Sequence, residues 1–408
     1  MTTQYHTHTL ANGLRIIHLP TQSPVAYCGY AVNVGTRDEE PGEFGMAHFV
    51  EHLVFKGTEK RTSWHILNRM EVVGGELNAY TSKEETFVHA TFLETHVERA
   101  VELLSDLVFH SRFPQSEIEK EVEVILDEIN SYKDNPSELI YDEFENLLFA
   151  NHELGHNILG EAAHLESFTT ESGLAFMAKH YTPDNMVFFS MGCTDLKKIV
   201  RLLEKHAGHI HTKAQQKTRL APQNTIGQSR KEEHDTHQSH VLIGARAYSL
   251  HHPNRLALYM VNNILGGPGM NSRLNLALRE RHGYVYSVES NLTSYSDTGV
   301  LAIYFGSDPK NCDKCIKLIH KEMDILRNTA LTEKQLNAAK KQLMGQIGIS
   351  VDHKESMVLA MGKSFLHFNR FESLEQVSKR IDELTTTQLL EVAQEVFDKS
   401  QLFRLIYE

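Results

Sequence analysis

The chain shows two patterns of hydrophobic positions, one with the period of a strand and one with the period of a helix. Short apolar or alternating runs predict strands, and apolar residues three and four positions apart predict helices. In the first half, predicted strands cover residues 14–17, 26–34, 85–93 and 185–192, and predicted helices begin near residue 45 or cover residues 96–111 and 116–132. In the second half, predicted strands cover residues 239–246, 299–307 and 401–407, and predicted helices cover residues 254–265 and 311–328.

The two halves are related by a constant offset, because successive elements recur about 215 to 220 residues later in the same order. A constant offset over several elements predicts a duplicated unit. Helices mixed with strands that follow one another through hairpin-like turns predict an α+β fold with a mostly antiparallel sheet in each unit. The predicted division is a first domain at residues 1–211, a polar linker at 212–237, and a homologous second domain at 238–408.

Length, charge and apolar content narrow the class of protein. The 408 residues are too many for one compact core, which favours two domains. The formal net charge of -12 argues against a nucleic-acid partner, which needs a basic surface. No run approaches the roughly 18 apolar residues of a membrane-spanning helix, and residues 1–9 lack the basic start and apolar run of a secretory signal. We therefore expect a cytoplasmic protein with no membrane partner.

The cysteines do not point to a disulfide framework, since the chain has four in 408 residues. Cys312 and Cys315 form a C-x-x-C pair, which in other settings is a redox or metal pair. Here Cys315 begins an apolar helical stripe with Ile316 and Ile319, and no second C-x-x-C follows. We expect both thiols to pack in a core.

Residues 48–52, which read H-F-V-E-H, carry the candidate chemistry of the first half. On a helix, His48 and His52 lie on one face, with Glu51 beside them. This H-x-x-E-H order is the inverzincin pattern. Two imidazoles and one carboxylate suit zinc and leave a fourth position for water. The alternative is a surface helix with scattered histidines, but the apolar residues around the motif favour a buried helix, in which polar groups need partners.

A third ligand is expected on the helix predicted at residues 116–132. Its apolar stripe leaves a set of acidic residues on other faces, and the pattern alone does not choose among Glu121, Glu123, Asp127 and Glu128. Glu121 and Glu128 lie seven positions apart, so they are nearly in line, two turns from each other. One can be a ligand and the other a supporting carboxylate. The alternative is a solvated acidic face.

Three sequence motifs resemble the pitrilysin, insulysin and mitochondrial processing peptidase family. They are G-M-A-H-F-V-E-H-L-V-F-K-G-T at residues 45–58, G-G at residues 74–75, and N-A-Y-T at residues 78–81 followed by Thr86. The family's third zinc ligand lies in an E-E-I or D-E-I string, which here is residues 127–129 and implies Glu128. The family's supporting glutamate, seven residues earlier, corresponds to Glu121. The resemblance covers essentially the whole chain and implies the same duplicated α+β fold.

The second half has no metal set of its own. The counterpart of the zinc helix, at residues 257–265, contains no histidine, and the position that matches Glu128 is near Gln346. The glycine-rich residues 266–269 lack the G-K-[ST] ending of a phosphate-binding loop. In the resembling family, an Arg and a Tyr seven residues later bind substrate and steady the reacting carbonyl. They correspond to Arg279 and Tyr286.

Together these features predict a zinc-dependent endopeptidase for unfolded or short peptides. Glu51 is the expected catalytic base, and the peptide is expected to add as a strand near Asn78. Chains of this length in the family pair into a chamber, which implies a homodimer, or a heterodimer with a related subunit, with Arg279 and Tyr286 supplied by the partner chain. The alternatives are a non-catalytic partner or scaffold subunit of the same fold, and a metal-free binding protein.

Overall fold

The computed structural model describes residues 5–215, 218–223, 225–234 and 236–408. Four positions of the predicted linker, residues 216, 217, 224 and 235, lie outside the described residues, as do residues 1–4 of the N-terminal stretch considered for a secretory signal. The described strands are β1 His6–Thr9, β2 Arg15–Pro20, β3 Val25–Val32, β4 Glu76–Thr81, β5 Thr86–Leu93, β6 Met186–Gly192, β7 Ser229–Glu232, β8 Ser239–Ala247, β9 Val285–Ser294, β10 Gly299–Ser307 and β11 Phe403–Tyr407. The described α-helices are α1 Met46–Leu53, α2 Ser63–Glu71, α3 Val97–Phe109, α4 Gln115–Lys133, α5 Pro136–Leu148, α6 Ala162–Leu165, α7 Thr170–His180, α8 Leu196–His206, α9 Arg255–Gly266, α10 Pro309–Asn328, α11 Glu333–Ser350, α12 Lys354–Phe368, α13 Leu374–Asp382 and α14 Thr386–Val396.

The strands form two sheets, one in each compact unit of the chain. The first sheet has the order β1-β2-β6-β3-β5-β4, and the second has the order β7-β11-β8-β10-β9. Neighbouring strands are antiparallel except for β2 with β6 and β7 with β11, which are parallel. The predicted α+β class with mostly antiparallel sheets is therefore confirmed.

The first unit comprises residues 1–129, 156–219 and 350–373. One face of its sheet packs on α1, α3, α4, α7 and α8 through a large apolar core. The other face packs on α12, whose Val358, Met361 and Phe365 belong to the same buried apolar cluster as Ile17 and Phe189 of the sheet. A helix from the second half of the sequence therefore completes the core of the first unit.

The second unit comprises residues 130–155, 220–349 and 374–408. Its sheet packs on α9, α10 and α14 on one face, and on α5 from the first half of the sequence on the other, through Ile140, Phe144 and Leu148. Each unit thus contains one helix from the other half of the sequence. The predicted linear division into residues 1–211, 212–237 and 238–408 stays a prediction.

Most predicted elements are present and begin or end within a few residues of the predicted bounds. Two of the observed strands that have no counterpart among the predicted elements are β1, with the sequence H-T-H-T, and β7, with the sequence S-R-K-E, which lies inside the stretch predicted to be a linker. Both are polar edge strands held by backbone pairing, so they leave no hydrophobic pattern to detect. Cys312 and Cys315 are buried free thiols of α10, so their predicted packing role is confirmed. Within the described ranges, no helix combines the length and apolar content needed to cross a lipid bilayer.

Candidate metal centre and active site

The helix that carries the H-x-x-E-H motif begins at a position whose backbone conformation favours glycine. Gly45, which precedes α1, has a φ of 100°, and a Cβ added there would lie 2.9 Å from the carbonyl oxygen of Leu159. Glycine has no side chain that could cap the helix, and the buried carboxylate of Glu39 caps it instead. Glu39 accepts hydrogen bonds from the backbone N–H groups of Gly45 at 3.0 Å and Ala47 at 2.8 Å. The start of α1 is therefore fixed by residues outside the helix.

His48, His52 and Glu128 meet where α1 and α4 face each other, and their candidate ligand atoms all lie within 4.8 Å of one another. Oε2 of Glu128 lies 3.8 Å from Nε2 of His48 and 3.8 Å from Nε2 of His52. Zinc bonds of about 2.0–2.1 Å place tetrahedral ligands about 3.3 Å apart, so a small inward movement of the Glu128 carboxylate from 3.8 Å brings these atoms to ligand spacing. The three side chains therefore fit a zinc ion in both chemical type and position.

The electrostatic setting of His48 also fits a metal ligand. Burial, and then the neighbouring His52, lower the pKa of His48 to about 3, so the ring is neutral near pH 7 and keeps a lone pair for a cation. The Nδ1 atom of His48 is buried without a hydrogen-bond partner among the described residues. Among the described residues, therefore, no hydrogen bond to Nδ1 holds the ring in another orientation.

His52 contacts two glutamates of α4 with its two ring nitrogens. While Nε2 faces Glu128, Nδ1 lies 3.0 Å from Oε2 of Glu121. Oε1 of the same Glu121 lies 2.5 Å from Nζ of Lys56. Burial favours the neutral form of Glu121, but the hydrogen bonds from His52 and Lys56 outweigh it and lower the pKa of this carboxyl. Glu121 is thus placed as the supporting carboxylate of a ligand histidine.

Glu51 lies on the same helix face, between the two histidines in sequence. Burial raises the pKa of Glu51 above its usual value; Thr81 and His52 oppose the shift, and Glu128 adds to it. Oε2 of Glu51 is buried without a hydrogen-bond partner among the described residues. A desolvated carboxylate with a raised pKa and an unengaged oxygen is suited to accept a proton.

The edge strand β4 runs beside α1. It is the last strand of the first sheet and pairs with β5 on one side. Asn78 is exposed on this strand, and its Oδ1 accepts a hydrogen bond from the backbone N–H of Ala79 at 2.9 Å. Thr81, at the end of the strand, reaches the carbonyl oxygen of Ala47 in α1. No strand in the described part of the chain pairs with the other side of β4.

Arg279 and Tyr286 belong to the second unit. Arg279 lies in a π-helical segment at Asn275–Glu280, and Tyr286 is the second residue of β9. The guanidinium carbon of Arg279 lies 5.6 Å from the centre of the Tyr286 ring, a cation–π contact. Tyr286 is 85% exposed and the Arg279 side chain 44% exposed. The pair predicted from the resemblance is therefore brought together on the surface of its unit.

Three further residues support this site and are not indicated by the sequence pattern. Lys56 is visible in the motif at residues 45–58, but its contact with Glu121 needs the fold. Glu39 precedes α1 by seven positions and pairs with His156, at 3.0 Å between Oε2 and Nε2. Burial raises the pKa of Glu39, against the hydrogen bonds it accepts from His156, Ala47 and Gly45. No spacing rule connects Glu39 and His156 to the helix that they support.

The two histidines and the glutamate form a zinc-type donor set, and they lie in a protein with two α+β units. Residues 16–162 match the family model described as insulinase, peptidase family M16, and residues 167–343 match the model described as peptidase M16 inactive domain. The chain belongs to the insulinase family, peptidase family M16. The second match agrees with the absence of histidine from α9.

Several relatives are similar over almost their whole length. A protein named uncharacterized zinc protease from Mycobacterium leprae is 33% identical over 96% of this chain and 89% of its own. The uncharacterized zinc protease YmxG of Bacillus subtilis is 32% identical over 98% of this chain and 97% of its own. The resemblance to the pitrilysin-type family is therefore confirmed.

Solved structures share the fold. A protease from Helicobacter pylori has a TM-score of 0.92 at 21% identity and matches 100% of both chains. A peptidase M16 inactive domain from Pseudomonas fluorescens has a TM-score of 0.90 at 19% identity, over 99% of this chain and 97% of its own. Both matches support the two-unit α+β architecture.

Proposed function

We propose that this chain is a zinc-dependent endopeptidase that hydrolyses unfolded or short peptides. The observation that carries the proposal is the convergence of His48, His52 and Glu128, with Glu51 on the same helix face. Membership of the family, and relatives named zinc proteases, support it. The predicted cytoplasmic location stays a prediction.

The proposed chemistry divides between the ion and the side chains. Zinc, when bound by His48, His52 and Glu128, supplies Lewis-acid chemistry that polarises a peptide carbonyl and makes water more acidic. Glu51 takes the proton from the attacking water and passes it to the leaving amine. Glu51 holds this proton between the two transfers. Burial raises the pKa of its carboxyl group, which favours the protonated form that this role needs.

Substrate recognition is proposed at the edge of the first sheet. A peptide that adds as a strand beside β4 satisfies backbone hydrogen bonds, and its side chains contact alternate positions. Exposed Asn78 and Tyr80 lie on one face of the strand. Most segments of a folded protein already have their backbone groups paired and cannot add in this way, which favours unfolded or short peptides.

Arg279 and Tyr286 are proposed to bind the substrate and stabilise the oxyanion that develops at the scissile carbonyl. Their mutual contact and exposure leave donor groups available on the surface of the second unit. Following the resemblance, we propose that two copies of the chain pair, so that each zinc site receives this pair from its partner. The alternative is a heterodimer, in which a related subunit supplies the Arg and Tyr to the zinc site of this chain.

The test of the proposed function is cleavage of a peptide library by the full chain and by Glu51→Gln. We expect cleavage to fall by about 10²- to 10⁴-fold, the usual contribution of a general base, with zinc content unchanged. Glu59→Gln removes an exposed carboxylate shortly after α1 and serves as the matched control. Full cleavage by Glu51→Gln would contradict the proposed role.

The alternative function is a non-catalytic partner or scaffold subunit of the same fold. The same library separates the two. A zinc-loaded wild-type chain that cleaves no member, alone or with added zinc, supports the non-catalytic subunit. Cleavage that a chelator abolishes and zinc restores supports the endopeptidase.

A further inference from the structure

Lys56 lies one helical turn beyond His52, just after α1 ends. Its backbone N–H donates to the carbonyl oxygen of Leu53 at 2.9 Å, and the next residue, Gly57, accepts a hydrogen bond from the backbone of Arg112 at 2.9 Å. The turn that carries Lys56 is therefore tied to α1 on one side and to the connection between α3 and α4 on the other. These backbone hydrogen bonds fix the position from which the lysine side chain extends.

The side chain of Lys56 extends to the carboxylate of Glu121. Nζ lies 2.5 Å from Oε1, while Oε2 of the same carboxylate lies 3.0 Å from Nδ1 of His52. The Glu121 side chain is 7% exposed and the Lys56 side chain 27% exposed. The two oxygens of one buried carboxylate are thus shared between a lysine and a histidine.

We propose that Lys56 is a positioning residue of the metal site, which acts through Glu121 to orient His52. The inference rests on the proposed function, because it assumes that His52 binds zinc. Without a donor on Oε1, the Glu121 carboxylate can rotate and its hydrogen bond to Nδ1 loosens. The ring of His52 then loses the contact that directs Nε2 toward Glu128.

The charge of Lys56 alone would change the zinc affinity in the opposite direction from its proposed positioning role. Lys56 is a cation close to a site for a dication, so repulsion alone would make its removal tighten zinc binding. Positioning through Glu121 predicts weaker binding when the lysine is removed. The sign of the change in zinc affinity therefore separates the two effects.

The experiment measures zinc affinity by competition with a chromophoric chelator, using the full chain. Lys56→Met removes the donor and keeps the length of the side chain, and Lys56→Arg keeps a cationic donor. Lys120→Met is the matched control, since Lys120 precedes Glu121 on α4, pairs with Glu117 and is 66% exposed. Thermal unfolding of each metal-free protein reports folding, and Lys56→Gln replaces Lys56→Met if the latter does not fold.

We expect Lys56→Met to weaken zinc binding by about 3- to 10-fold, less than the 10- to 100-fold typical of a direct partner of a ligand. Lys56→Arg recovers most of the affinity, and Lys120→Met leaves it unchanged. In a Glu121→Gln background, Lys56→Met causes no further loss, because the lysine acts through this carboxylate. A merely structural lysine would still cost affinity there.

Unchanged or tighter zinc binding by Lys56→Met overturns the inference, and so does an equal loss in the Glu121→Gln background. Failure of the proposed function looks different. A wild-type chain that binds no zinc at this site overturns the proposed endopeptidase, whatever the lysine variants do.

Discussion

His52 donates from Nδ1 to Oε2 of Glu121 across 3.0 Å, and this hydrogen bond determines which nitrogen is left for a metal. A carboxylate oxygen accepts and does not donate, so Nδ1 carries the hydrogen and the lone pair of the neutral ring lies on Nε2. Nε2 is the atom that faces Glu128. The supporting carboxylate therefore fixes both the orientation and the proton position of a proposed ligand.

Glu128 is the proposed third ligand, and the other acidic residues of α4 provide its controls. We expect Glu128→Gln to lose most zinc, because its carboxylate is the group that faces both histidines. Glu123→Gln and Asp127→Asn, which change exposed residues of the same helix, should retain zinc. Zinc per chain after dialysis checks this. Equal loss in all three variants would point to a general effect of helix charge.

The contact of α12 with the first sheet contains a buried ionic group with a predictable pH dependence. Glu85 accepts from Nε2 of His367 at 2.5 Å and from Nζ of Lys363 at 3.1 Å. Burial opposes ionisation of Glu85, but these partners outweigh it and lower its pKa from 4.5 to about 2. A folded-state pKa below the unfolded one stabilises the fold above about pH 4.5, and this contribution is lost as pH falls toward 2.

We therefore expect Glu85→Gln to lower the free energy of unfolding by about 3 kcal/mol at pH 7. The difference from wild type should shrink as the pH falls below 4.5, which urea unfolding at several pH values can measure. Glu355→Gln changes a half-exposed carboxylate of the same helix and should have little effect. A difference that does not change with pH would contradict the assignment.

Gly45 gives a prediction about the start of the metal-binding helix. Gly45→Ala should destabilise the protein by about 1–3 kcal/mol, because the positive φ is strained for alanine and the new Cβ meets backbone. Gly345→Ala is the matched control, since that glycine lies within α11 with nothing within 4 Å of an added Cβ. It should be neutral or stabilise by up to about 1 kcal/mol. Thermal or urea unfolding compares the two variants.

The two histidines of the zinc-type donor set are predictable from the sequence because their relationship is local. His48 and His52 are four positions apart on one apolar helix, so helical geometry alone places them together. Glu128 was one of several acidic residues of a helix, and only the resemblance to a family motif separated it from Glu123. The fold class followed from the duplicated order of elements, which is also a property of the sequence pattern.

The remaining features depend on contacts between distant segments. Glu39 supports the start of α1 and is itself hydrogen-bonded to His156, which lies 117 positions later in the sequence. Neither residue has a spacing that indicates this role. The packing of α12 on the first sheet joins distant residues, such as Arg15, whose guanidinium donates to the carbonyl oxygen of Phe365 across 350 positions of sequence. Such pairs are set by tertiary packing, which hydrophobic periodicity does not encode.

Arg279 gives a prediction about substrate binding. Arg279→Ala should reduce kcat/KM by about 10²- to 10³-fold, as removal of an oxyanion donor does. Zinc content and stability should not change, because the side chain is 44% exposed. Steady-state kinetics with a cleaved peptide, together with zinc analysis, measures these quantities.

If two chains share their sites as proposed, Arg279→Ala should be rescued by a second variant. A verified mixed dimer of Arg279→Ala and Glu51→Gln chains should recover activity, because one of its two sites receives an intact Glu51 and an intact Arg279. Each variant alone supplies no such site. A mixed dimer without activity would contradict the sharing of sites between chains.

The most direct test of the account is a crystal structure of the zinc-loaded chain with anomalous data at the zinc absorption edge. We predict one strong peak at about 2.0–2.1 Å from Nε2 of His48, Nε2 of His52 and a carboxylate oxygen of Glu128. A zinc-loaded crystal with no peak between α1 and α4, or with Glu128 turned away from both imidazoles, would contradict it.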